Sequence, residues 1–135
     1  MSQENVETVR AMHALWNNGE RDVQDLPRYV HADVELDSPF SSVVGEPYRG
    51  YSGIEQWMRD IDEQFAAWSI VPDELRDIGD RVLSIATVAA RARASDFATE
   101  FPASCVFDFA PDGRVSRMHI YLDAHEALKA VGLAE

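Results

Sequence analysis

The feature that most constrains this chain is Phe101–Asp123, FPASCVFDFAPDGRVSRMHIYLD, two apolar-alternating runs joined at Ala110-Pro111-Asp112-Gly113. Proline presets φ and glycine accepts φ > 0, so Pro-Asp-Gly between such runs predicts a hairpin turn. Alternation puts Ala103, Cys105, Phe107 and Phe109 on one face of the first strand. The second strand presents Met118, Ile120 and Leu122 on one face, and Arg117, His119 and Tyr121 on the other. A ribbon this apolar on one side must bury that side under helices.

The rest of the chain supplies them. Val6, Val9, Met12 or His13, and Trp16 recur at helical spacing, predicting an amphipathic helix over 3–18 closed by Gly19. A short helix over 25–31 follows, with Asp25 as cap and Pro27 in its first turn. Residues 32–38, ADVELDS, alternate as a strand. The connection 38–52 is long, yet its Phe40, Val43, Val44, Tyr48 and Tyr51 are too apolar for a disordered tail, so it reads as a lid packed over a cavity. Ser52 and Glu55 have the spacing of a capping box for a helix with Ile54, Trp57, Met58, Ile61 and Phe65 on one stripe. Strands are expected over 69–78 and 82–94, turning at Gly79-Asp80, with Leu83, Ile85 and Thr87 sharing a phase against small even-numbered residues. After the hairpin, Asp123 caps a last helix over 124–131 that stops at Gly132. Helices gathered on one face of a mostly antiparallel sheet make an α+β fold.

At 135 residues the chain is expected to form one domain over 1–135. Twelve basic against 24 acidic side chains give a net charge of −12, which repels phosphate backbones and anionic membrane surfaces and argues against nucleic acid or membrane as partner. One cysteine excludes an internal disulfide, and the polar start MSQENVETVR has no signal-peptide core, so the expected location is cytoplasmic. Four histidines without metal-ligand spacing and the lack of a Gly-rich phosphate loop predict neither metal nor cofactor.

The element order and the segments ENVETVRAMHALWNNGE, HADVELDSP, YRGYSGIEQW and DGRVSRMHIYLDAHEALKAVGL resemble the SnoaL-like polyketide cyclases of the nuclear transport factor 2 and ketosteroid isomerase superfamily. The resemblance spans essentially the whole chain. It implies a cone-shaped fold in which a bent mixed sheet wraps three helices around an internal apolar pocket, and a homodimer through the sheet's outer face. It also implies positions for the chemistry, and here they are changed. The isomerases' oxyanion-hole Tyr and acid fall on Met12 and Cys105, their general base on Ser38 and the supporting Tyr on Met58. The Asp that cyclases and limonene epoxide hydrolases keep on the last strand falls on Ile120, and the hydrolases' Arg and second Asp fall near Ile85 and Thr87.

Two functions fit that pattern. The first is an isomerase- or cyclase-type enzyme with atypical acid–base groups, for which Asp37, His31 and Tyr48 are the candidates. The second is a non-catalytic binding or carrier protein for an apolar small molecule. Asp37 is a pocket carboxylate only if a bulge shifts its strand; otherwise it is a solvated group on the outer face. His31 either pairs with Asp33 or Asp37 or caps a helix C-terminus. Tyr48 and Tyr51 are either ligand donors or packed rim residues, Cys105 is read as a small buried hydrophobe, His13 as half-buried surface, and Arg91 and Arg93 as mouth or edge residues. The expected pocket lining is Trp16, Leu36, Ser38, Phe40, Trp57, Met58, Ile61, Phe65, Leu83, Ile85, Cys105, Phe107, Met118 and Ile120, which suits a small cyclic or aromatic ligand.

Overall fold

A computed structural model of the chain describes residues 2–17, 23–39, 45–95 and 97–133. The elements run α1 (Ser2–Asn17), a 3-10 turn (Val23–Asp25), α2 (Leu26–Tyr29), β1 (Val30–Asp37), β2 (Tyr48–Arg49), α3 (Gly50–Gln64), β3 (Phe65–Ile78), β4 (Arg81–Ala92), β5 (Ala98–Phe109), β6 (Val115–Tyr121) and α4 (Ala124–Ala130). They form the expected α+β architecture, a curled open sheet of six strands in the order β2-β1-β6-β5-β4-β3. Among the described strands, only β1 and β6 pair in parallel. No helix among the described residues is long and apolar enough to cross a membrane.

Local chemistry explains the boundaries. The β5–β6 turn closes as Pro-Asp-Gly requires, with Gly113 at φ +86° and Gly113 N–H donating to Ala110 O at 2.9 Å. The second helix is shorter than the spacing predicts, and His31 belongs to β1 instead. Gly19 and the lid residues Phe40, Val43 and Val44 lie outside the described residues. The Ser52–Glu55 capping box does not form. Gly50, at φ +69°, turns the chain from β2 straight into α3, so Ser52 and Glu55 fall inside the helix and Glu55 pairs with Arg59 at 3.5 Å. Phe65 opens β3 rather than closing the helix, so β3 runs 14 residues with two register shifts. Asp123 caps α4 as expected, accepting from His125 N–H at 2.9 Å.

Both faces of the sheet are occupied. α1 and α3 cover the inner face, where Val9, Met12, Trp16, Leu36, Trp57 and Phe107 form the main core. α4 lies on the outer face, its Ala127 packed with Leu83 and Val106. Beside it, charge alternates in register across five strands: Arg49, Glu35, Arg117, Asp108 and Arg81 stand in one row. Arg49 reaches Glu35 and Arg81 reaches Asp108 at 3.2 Å each, while Arg117 leans to Asp37 at 3.7 Å. Such exposed pairs contribute at most about 1 kcal/mol each.

β3 is one edge of the sheet, and the end of α1 closes part of it. The Asn17 side-chain amide donates to Ile70 O at 3.0 Å and accepts from Ile70 N–H at 2.7 Å. This pair reproduces what a neighbouring strand would offer.

Candidate functional site

An apolar cavity of about 230 Å³ lies between α3 and the inner face of the sheet. Trp57 and Ile61 come from α3, Phe65, Trp68 and Ile70 from β3, Val88 from β4, Phe101 and Ala103 from β5, and Ile120, Leu122 and Pro39 from the ends of β6 and β1. Helical spacing sets Trp57 and Ile61 one turn apart on the buried side of α3. Strand alternation brings Trp68 with Ile70, and Phe101 with Ala103, to the same face. Leu122 is 50% exposed and stands at the rim.

Aromatic contacts hold these walls. Trp57 meets Trp16 edge-on at 5.3 Å and Trp68 at 6.0 Å, and Trp16 stacks on Phe107 at 6.1 Å. The Trp68 indole N–H donates to Asp62 Oδ1 at 2.7 Å, so Trp68 is fixed from the far side as well.

Of the residues expected to line a pocket, Trp57, Ile61, Phe65 and Ile120 border this cavity. Trp16, Leu36, Met58, Cys105, Phe107 and Met118 instead fill the adjoining core, and Ser38 is buried near the end of β1. Leu83 and Ile85 require correction: they pack on the outer face with α4, and Val82, Ser84, Ala86 and Val88 take the inner face. The physical reason is volume. The inner side already holds Trp16, Trp57, Trp68 and Phe107, so β4 presents mainly small side chains there and sends its larger ones out. Phe40 is outside the described residues.

The candidate acid–base residues are not brought together. Asp37 stands on the outer face in register with His119, 3.7 Å from Arg117 and 4.0 Å from His119. The register shift in β1 falls between Val30 and Glu35, ahead of Asp37, and does not turn it inward. His31 Nδ1 accepts from Asp33 N–H at 3.2 Å. The Tyr48 hydroxyl donates to Asp60, and burial together with that carboxylate raises its pKa well above the ordinary phenol value. Tyr51 donates to Val30 O at 3.2 Å. Burial pushes the Cys105 thiol up, away from a thiolate. Arg91 projects on the outer face, and Arg93 bonds the Asp62 carbonyl. His119 stacks on Tyr121 at 4.2 Å, and burial lowers its pKa despite the nearby Asp37. Among the described residues no group of three His, Cys, Asp or Glu could hold a metal ion.

His13 corrects a second expectation. It is 2% exposed, with Nδ1 2.9 Å from Ile70 O and Nε2 2.8 Å from Ser84 Oγ. A carbonyl can only accept, so Nδ1 carries the hydrogen and Ser84 donates to Nε2. Burial lowers the pKa from 6.5 to about 4, so the ring is neutral near pH 7. The pair has the geometry of a nucleophile and its base, but both are buried in the core and neither borders the cavity.

The profile of the SnoaL-like domain matches residues 9–118. A search of curated proteins finds no match. Among solved structures, the chain is similar to an NTF2-like protein of unknown function from Burkholderia pseudomallei K96243, at 21% identity over 98% of this chain and 99% of that one, with a TM-score of 0.77. It is equally similar to TerC, co-crystallised with polyporic acid, at 21% identity over 95% and 98%, TM-score 0.77. A hypothetical protein with a ketosteroid isomerase-like fold from Catenulispora acidiphila DSM 44928, in complex with trimethylamine, matches at 17% identity over 94% and 93%, TM-score 0.73.

Proposed function

Because the chain belongs to the SnoaL-like domain family, we propose that it binds a small cyclic or aromatic molecule in the cavity beside α3 and serves as a binding or carrier protein. One observation carries this reading: all eleven described residues around the cavity are apolar, and none of them can take up or release a proton near neutral pH. Proton transfer needs a base and a donor within hydrogen-bond reach of the reacting atoms. Asp37, His31 and Tyr48, the groups a catalytic reading would use, do not border the cavity. Burying an apolar ring against such walls is favourable at roughly 25 cal/mol per Å². The similarity to TerC, which was co-crystallised with polyporic acid, supports the same reading.

A ligand at about 100 times its Kd is expected to raise the melting temperature by roughly 5–10 °C. The measurement is a thermal-shift screen of terpenoids, steroids and aromatic polyketides, paired with native mass spectrometry of freshly purified protein. No shift with any of them and no co-purified ligand would overturn the reading.

The same proposal includes a homodimer through the outer sheet face. Its small side chains Ala67, Ser69, Ala89 and Ala98 leave room for a second sheet, with Arg91 and Glu100 set among them. Light scattering at tens of micromolar is expected to give twice the chain mass, and a monomer would sink this part.

A further inference from the structure

Resting on the binding reading above, we propose that the cavity is a site for uncharged molecules of one or two rings, and that Ala103 sets its size limit. The volume points to the first half. An apolar cavity of ~150 Å³ takes one benzene ring, so 230 Å³ holds a substituted ring or two fused rings, whereas three fused rings need roughly 300 Å³.

The walls are not free to yield. Trp57 is wedged between Trp16 and Trp68, and Trp68 is tied to Asp62 through its indole N–H. Packed interiors of this kind change volume reluctantly.

Charge is excluded by the same lining. A charged group inside gives up its hydration and, among the described residues, meets no side-chain nitrogen or oxygen except indole N–H groups.

Among the described lining residues, Ala103 is the one whose side chain ends at Cβ. It stands in register with Ala86 on β4, so the sheet floor is thin at that point. Any larger residue at 103 takes up the room that a second ring occupies. Three added carbons, as in Ala103→Leu, remove roughly a third of the volume and leave a space suited to a single ring.

The test uses the full chain and its own fluorescence, because Trp57 and Trp68, two of its three tryptophans, border the cavity. Quinoline and acridine are titrated at mildly alkaline pH, where both are uncharged and differ only in ring number, alongside toluene and benzoate. Calorimetry accompanies the quenching. Quinoline and toluene are expected to bind at least about 50-fold more tightly than acridine and benzoate, respectively. Ala103→Leu is expected to lose quinoline by a similar factor while keeping toluene. Val88→Ile, which adds one carbon to the opposite side of the floor, weakens quinoline less and serves should the leucine variant misfold. Acridine or benzoate bound as tightly as its partner, or quinoline affinity unmoved in both variants, overturns the inference and leaves the binding reading standing. If none of the four compounds binds, the inference falls, and the thermal-shift screen with native mass spectrometry decides the binding reading separately.

Discussion

Replacing Trp57 with alanine is expected to lower the unfolding free energy by about 3–5 kcal/mol, measured by urea denaturation. The side chain is 1% exposed and touches Trp16 on one side and Trp68 on the other. Its removal takes away the ring's transfer free energy and both edge-to-face contacts, and merges the new void with the existing cavity. A domain of this size has about 5–15 kcal/mol in total, so the variant stands near the limit of folding. Phe97 is the control. It is also a large aromatic, but 63% exposed, and Phe97→Ala should stay within about 0.5 kcal/mol. Equal losses at the two sites would mean that the aromatic chain across α1, α3 and β3 is not what holds the inner face.

The second large effect is a pH dependence. His13 has a folded pKa of about 4 against 6.5 when exposed, because burial disfavours the imidazolium. The unfolded chain therefore binds this proton more readily. The stability contribution is complete above pH 6.5 and is lost as the pH falls from 6.5 to about 4, below which both states are protonated. The shift corresponds to about 3 kcal/mol over that window. The Ile70 carbonyl, which favours the protonated ring, opposes the burial but does not cancel it. Other groups titrate here too, so the quantity to measure is the difference between wild type and His13→Gln. Denaturant midpoints at pH 7 and pH 4.5 should converge for the variant relative to the wild type. Parallel pH slopes in the two proteins would remove His13 from the explanation.

The element order, the two long hairpins and the α+β layering were legible in the sequence because each rests on local chemistry. Pro111-Asp112-Gly113 and Gly79-Asp80 mark turns whatever the surroundings, and α3 carries a clear apolar stripe. The phase of β4 was not legible. The first half of the strand is covered on both faces, by α1 and α3 inside and α4 outside, and Leu83 and Ile85 suggested the core although Thr87, Arg91 and Arg93 share their phase. Side-chain volume was the usable signal: three tryptophans and Phe107 leave room only for serine, alanine and valine opposite. His13 was misplaced for a related reason. Its spacing from Val9 and Trp16 already put it on the buried stripe, but the polar ring suggested the surface, and only tertiary structure brings Ile70 O and Ser84 to it. Trp68 was missed because it belongs to the first turns of β3, which the alternation pattern starts four residues late. The outward placement of Asp37 followed from strand parity alone.

A sheet that stays open keeps two free margins, and either can template the addition of a strand from another molecule. Here both are blunted. At one end β2 has only two residues, too few to recruit a partner along its length. At the other, Asn17 occupies the hydrogen-bonding groups of Ile70 that an incoming strand would need. Strand addition from another molecule is therefore obstructed at Ile70, within the long edge strand, by a single amide at the end of a helix.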